Sequence, residues 1–142
     1  MEKLNLPYFE FKIKKDNNNK IILDEIRKKW VRLTPEEWVR QNFIKYLIFK
    51  NIPSSLINCE KAFYINKVLK RYDIVVYNKS GEVDILIECK ASNIKISSKD
   101  FDQLMRYNIE LKSKFLILTN GLEHFYFKLK KDEMRYIQVK GL

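Results

Sequence analysis

Asp73, Glu88 and Lys90 are the residues whose types and spacing could do chemistry. Two carboxylates and an amine gathered beside a buried sheet suit a divalent metal ion acting on a phosphodiester. Glu88 and Lys90 close a run that reads VDILIECK, from Val83 to Lys90. Side chains alternate along a strand, so Val83, Ile85, Ile87 and Cys89 form one apolar face. Asp84, Leu86, Glu88 and Lys90 share the other. Glu88 and Lys90 then point the same way, with Cα atoms about 7 Å apart. A glutamate can ligate a hard cation through oxygen, and Mg²⁺ is often held by one or two carboxylates plus phosphate. The ammonium can hold the attacked phosphate or help position and activate water. Alone, Glu-x-Lys is more simply a strand-end ion pair, which contributes little on a surface.

Asp73 changes that balance. It lies in KRYDIVVYN (Lys70 to Asn78), a run of β-branched and aromatic residues, and Asn78, Lys79, Ser80 and Gly81 supply hairpin residues before the next strand. A two-residue loop sets Asp73 opposite Leu86, and a four-residue loop sets it opposite Glu88. Both registers put Asp73 within about 5–8 Å of Glu88 and Lys90. An odd loop without a compensating bulge flips Asp73 into the apolar layer. An ionised aspartate is costly there, so an even register, or a bulge restoring it, is expected. The structural alternative is a paired polar residue beside Arg71 or Lys90.

Two helices must position further groups. Ser97 or Ser98 can cap a helix in which Phe101, Leu104, Met105, Asn108 and Leu111 share one face. Gln103 and Tyr107 are i, i+4 neighbours flanking that face, so they can reach toward a bound phosphate or base. An exposed glutamine and a core-flanking tyrosine are equally ordinary scaffold. LTPEEWVRQNFIKYLIFK (Leu33 to Lys50) opens with Thr34, Pro35 and Glu37 in the pattern of a capping box. Glu36 shares a stripe with Val39, Arg40, Phe43 and Leu47 and can lean into the site, or can simply complement the helix dipole.

The run RYDIVVYNKSGEVDILIECK (Arg71 to Lys90) resembles the Asp…Glu-x-Lys signature of the PD-(D/E)xK nuclease superfamily. FDQLMRYN (Phe101 to Asn108) is similar to the Gln-x-x-x-Tyr motif of its RecB-like branch. IRKKWVRLTPEEWVRQ (Ile26 to Gln41) and FLILTNGLEHFYF (Phe115 to Phe127) resemble blocks of the N-terminal nuclease domain of type I restriction enzyme R subunits. These segments run in the same order from about Ile26 to Phe127. The resemblance implies that Asp73, Glu88 and the backbone carbonyl of Cys89 bind Mg²⁺, for which Mn²⁺ can substitute. It implies that Lys90 assists catalysis and that Gln103 and Tyr107 orient the site or touch DNA. Tyr72, where the family often has a small residue or proline, and Asp84, where an apolar strand residue is expected, depart from the pattern.

The expected architecture is α/β (α+β): a restriction-endonuclease-like αβββαβ core with a central mixed sheet flanked by helices. An N-terminal β-hairpin, from YFEFKIKK (Tyr8 to Lys15) and KIILDEI (Lys20 to Ile26), and C-terminal strands are added to it. One domain is expected over residues 1–142, with the extension at 1–30, the core at 31–127 and a terminal strand at 128–142. A chain of this length buries roughly two-thirds of its extended surface. No run is long enough to span a membrane, and the polar N-terminus does not read as a signal peptide. Cys59 and Cys89 read as reduced core residues of a cytoplasmic protein. They are too few for a zinc cluster, and His124, the one histidine, is expected to pack or cap.

The 28 Lys and Arg against 18 Asp and Glu give a net charge of +10, which favours a polyanionic partner, DNA. The basic residues are scattered rather than gathered in one run. With Gly81, Gly121 and Gly141 as the glycines, no phosphate loop can be built. ATP-driven movement therefore does not reside here: either this is a free-standing nuclease-like protein, or it works with specificity or motor subunits supplied by other proteins. Two functions follow: a Mg²⁺-dependent DNA endonuclease, or a DNA-binding or assembly module that keeps the nuclease fold without turnover. Two intact carboxylates beside a lysine favour the first.

Overall fold

Apolar residues on both faces of the strands between Ile57 and Cys89 require cover on two sides, and the chain supplies one helix for each. The computed structural model describes residues 1–142, the side chain of Tyr107 excepted. Helix α1 (Pro35–Phe49) precedes strands β4 (Ile57–Ile65), β5 (Val68–Tyr77) and β6 (Val83–Cys89); α2 (Ser98–Leu111) then leads to β7 (Phe115–Thr119), β8 (His124–Lys130) and β9 (Arg135–Val139). These six strands form one sheet in sequence order. All neighbours are antiparallel except β6 and β7, which are parallel. A parallel pair needs a crossover, and α2 is that crossover. This is the expected mixed sheet of a restriction-endonuclease-like α/β core.

On one face Val39, Phe43 and Leu47 of α1 pack over Ile74, Ile85, Ile87 and Ile117. On the other, Leu104 of α2 joins Val75, Leu86, Leu116 and Phe127, with Phe101, Met105 and Leu111 at its margin. Thr34 caps α1 by accepting the Glu37 N–H at 3.0 Å. Ser97 caps α2 in a full capping box with Asp100. Among the described residues, no helix is long and apolar enough to cross a membrane.

The N-terminal extension differs from the expected hairpin. Strands β1 (Ile13–Asp16), β2 (Asn19–Asp24) and β3 (Lys29–Arg32) make a separate three-stranded antiparallel sheet. The β1–β2 turn is formed by Asn17 and Asn18, both left-handed, as a two-residue hairpin loop requires. Tyr8 to Lys12 lie outside β1, and β3 crosses the expected boundary at residue 30. β3 escaped the sequence pattern because it is four residues long and mostly exposed. It therefore lacks the apolar alternation that marks a half-buried strand. Residues before β1 still reach the core: Leu4 is buried there, and the Asn5 N–H donates to the Gly121 carbonyl at 2.8 Å. Gly121 has a φ of +86°, which favours glycine, and an added Cβ would lie 2.8 Å from a Leu4 methyl, so Leu4 would have to shift.

Candidate active site

The β5–β6 hairpin decides whether Asp73 meets Glu88. Five residues, Asn78 to Glu82, separate the two strands, an odd number that alone would turn Asp73 away. The pairing passes from Tyr77–Val83 to Val76–Ile85 and leaves Asp84 as the extra residue of a β-bulge. The bulge restores the register expected of a four-residue loop. Ile74 pairs with Ile87, which sets Asp73 across from Glu88. The same bulge places Val83 against the α2-side core rather than with Ile85 and Ile87 as the unbroken alternation suggests. Asp84, out of place in a regular strand, is thus the residue at which the strand is irregular.

Regular pairing between β5 and β6 ends at Ile74 and Ile87. Beyond it the Asp73 carboxylate replaces a backbone acceptor: Oδ2 accepts the Cys89 N–H at 2.7 Å. Oδ1 accepts from Arg40 Nη2 at 2.8 Å. β5 also exchanges faces here, since Tyr72 packs into the α2-side core and Ile74 into the α1-side core. In β4 the residue level with Asp73 is Glu60, which has a φ of +54°. Asp73 therefore sits between the two layers, in reach of α1 behind it and Glu88 beside it.

Glu88 is the strained partner. Its Oε1 is buried and has no hydrogen-bond donor. Burial, and then the neighbouring Asp73 carboxylate, push its pKa up to about 8, against the pull of Lys70 and Lys90. Two adjacent acids at one strand end need a proton or a cation between them. Glu88 opens into a cleft of about 130 Å³, lined also by Lys70, Lys90, Asp100, Gln103 and Leu104. Lys90 is held at its backbone by the Thr119 carbonyl (2.8 Å), and its Nζ lies 3.8 Å from Asp100. Asp100 accepts the Ser97 backbone N–H, the chief reason that its pKa is lowered.

Gln103 is exposed on α2 and lines the same cleft. Tyr107 lies one helical turn further on, and its side chain is outside the described residues. Cys89 pairs with Thr119 in the β6–β7 register, and its thiol is buried in the α1-side core. Glu36 sits beside Asp73 by way of Arg40, whose Nη2 donates to it at 3.2 Å. Burial and then Asp73 raise the Glu36 pKa. His124 is structural: Nδ1 is 2.7 Å from Thr119 Oγ1 and Nε2 is 2.8 Å from the Asn5 carbonyl. Among the described residues no group of three His, Cys, Asp or Glu side chains could hold a metal. A cation beside Asp73 and Glu88 would instead rest on two carboxylates completed by backbone oxygen, water or phosphate, a set that suits Mg²⁺. The orphaned Glu88 oxygen fits that role.

The expected capping box of α1 is only half formed. Thr34 donates its own N–H to the Arg32 carbonyl, and Glu37 does not return the bond. The Glu37 carboxylate is buried and accepts instead from Arg27 Nη2 (2.9 Å to each oxygen), Arg40 Nη1 (2.6 Å) and Gln41 (3.0 Å). A buried carboxylate is held more strongly by guanidinium groups than by one helix-end N–H. Arg27, Arg40 and Lys70 were not singled out by the sequence. The available signal was an arginine on the otherwise buried stripe of α1, which demands acidic partners.

The model of the type I restriction enzyme R protein N terminus (HSDR_N) matches residues 35–142. The match starts at the first residue of α1, spans both helices and all six strands of the main sheet, and leaves out the three-stranded extension. A comparison with curated proteins finds no match. Asp73, Glu88, Lys90 and Gln103 all fall within the matched segment, and on the length of that match the chain belongs to the family of type I restriction enzyme R protein N termini.

Proposed function

We propose that this domain is a Mg²⁺-dependent DNA endonuclease that hydrolyses phosphodiester bonds. The observation that carries the proposal is the buried, donorless oxygen of Glu88, set beside Asp73 at the mouth of a lysine-flanked cleft. Asp73 and Glu88, with the Cys89 carbonyl, would hold the ion. A bound Mg²⁺ would polarise the phosphate and lower the pKa of the attacking water. Each Asp73 oxygen accepts one bond, from Arg40 or from Cys89, and the carboxylate is also within hydrogen-bonding reach of Glu88, a contact that a shared ion would replace. Lys90, and Lys70 across the cleft, present ammonium groups to a phosphate oxygen and offset charge that builds on it during attack. Gln103 can orient a water or a DNA group by hydrogen bonding but adds no charge. Glu36 stands as a supporting acid and Tyr107 as a supporting residue one turn beyond Gln103.

DNA is the partner that the charge of +10 favours. The glycines of this segment build no phosphate loop, so on this reading sequence recognition and ATP-driven movement are supplied from outside it, by specificity or motor subunits. The second reading, a DNA-binding or assembly module without turnover, takes support from Arg40, whose Nη2 already occupies Asp73 Oδ1 at 2.8 Å.

Cleavage by the purified protein in Mg²⁺ or Mn²⁺ tests the proposal. EDTA should stop it. Asp73→Asn and Glu88→Gln should reduce it at least ~100-fold by removing ligands, and Lys90→Ala by a similar factor, the scale seen when one preorganised charge stabiliser is lost. Gln103→Ala should cost less. Wild-type cleavage by all three charge variants would assign the activity elsewhere and favour the module.

A further inference from the structure

The ionic cluster behind Asp73 is more extensive than one aspartate requires. Arg40 is 7% exposed in its side chain and touches four carboxylates. Nη1 contacts Glu37 at 2.6 Å and Glu60 at 3.7 Å; Nη2 contacts Asp73 at 2.8 Å and Glu36 at 3.2 Å. Glu37 is held in turn by Arg27, which also bonds Asp24 and lies 3.3 Å from Glu60. Gln41 bridges Asp24 and Glu37, at 3.0 Å to each. Asp24 ends β2 and fixes the β2–β3 turn by accepting the N–H groups of Ile26 and Arg27 at 2.8 Å. A continuous chain of bonds thus runs from the N-terminal sheet, through α1, to the edge of the cleft.

We propose that Arg40 is a positioning residue for Asp73, and that the N-terminal three-stranded sheet braces Arg40 through Arg27 and Glu37. The inference rests on Asp73 and Glu88 being metal ligands. Asp73 lies beyond the end of β5–β6 pairing, although β4–β5 pairing continues past it, so β6 backbone no longer pairs with it and apolar packing does not fix its carboxylate. Its two oxygens are pinned separately, one by the Cys89 N–H and one by Arg40. That leaves one side of the carboxylate to face Glu88. A cation so near a metal site would ordinarily repel the ion. Here Glu36, Glu37 and Glu60 neutralise the guanidinium, so that it contributes direction without a net opposing charge. Lysine cannot replace it, because one ammonium lacks the planar fork that joins Glu37 to Asp73.

Calorimetric titration of Mn²⁺ into the full chain separates the possibilities. Arg40→Lys keeps the charge and should weaken Mn²⁺ binding about 10–100-fold, the usual effect of losing a group that orients a metal ligand. Glu37→Gln and Arg27→Lys should weaken it in the same direction by less. In cleavage assays the three variants should need more Mn²⁺ for half-maximal rate yet approach the wild-type rate at saturation. Lys45→Met, which removes an ion pair with Glu25 from the same helix, should leave Mn²⁺ affinity unchanged. Variants with lowered melting temperatures but wild-type Mn²⁺ affinity would reduce Arg40 to scaffold and overturn the inference. In that case loss of Mn²⁺ binding in Glu88→Gln would leave the metal reading intact. A wild-type protein that binds no Mn²⁺ would overturn the metal reading and this inference with it.

Discussion

Glu88 holds most of the site's electrostatic cost in one side chain. In the folded protein its pKa is pushed up to about 8 from an ordinary 4.5, by burial first and Asp73 second. The folded state therefore keeps the Glu88 proton over a range in which the unfolded chain has released it. Stability from this group is fully present below about pH 4.5 and is lost as pH rises through about 8. Glu88→Gln removes the titration while keeping the shape. In EDTA, its melting temperature should be close to wild type near pH 5 and should exceed wild type increasingly toward pH 9. Parallel melting profiles across that range would mean that Glu88 is not burdened by Asp73 and burial. Added Mn²⁺ should raise the melting point of the wild type at pH 8 and not that of the variant, because a ligand stabilises only the state that binds it. The proximity of Asp73 and Glu88 was legible in strand alternation and loop parity, since both act over short stretches of chain. Arg40 was not: its bond to Asp73 joins residues 33 apart in sequence, and helical periodicity marks its position only as facing the sheet.

At the scale of elements, local signals carried the two helices and the main strands. Thr34 and Ser97 cap where their side chains predict, and Phe115–Thr119 forms β7 with the expected limits. The bulge at Asp84 was legible only as a condition, because the loop sequence admits several lengths and only burial of the paired faces selects among them. Helix α2 presents Gln103 to the cleft, and its cap is closed by Ser97 and Asp100. Ser97→Ala removes the hydroxyl that accepts the Asp100 N–H and should cost about 1 kcal/mol in chemical denaturation. Mn²⁺ affinity should be unchanged in that variant, since Asp73 and Glu88 are set by β5 and β6. A loss of Mn²⁺ binding equal to that of Glu88→Gln would show that α2, not the hairpin, organises the carboxylates.

The whole molecule carries +10, and its structure determines where that excess resides. Arg27 and Arg40 gather Asp24, Glu36, Glu37 and Glu60 around them, so this cluster holds more acids than bases and leaves the basic excess to the rest of the molecule. Asp73 and Glu88 withdraw two further acids into the site, which makes the remaining surface still more basic. No single run of sequence showed this, because the lysines are scattered and their arrangement depends on the fold. DNA binding without cleavage, measured in EDTA, should therefore weaken steeply with salt as lysines displace counterions, with a log–log slope of about −0.9 per phosphate contacted on duplex DNA. Lys90→Ala should lower that slope by no more than about one contact and leave most of the affinity. Glu88→Gln, which removes a group that is negative only above about pH 8, should bind in EDTA about as tightly as wild type at pH 7 and more tightly at pH 9. Binding that is absent at low salt, or indifferent to salt, would separate this basic surface from DNA. A salt-dependent complex that Glu88→Gln retains without cleaving would instead place binding on the exterior and chemistry at the carboxylate pair.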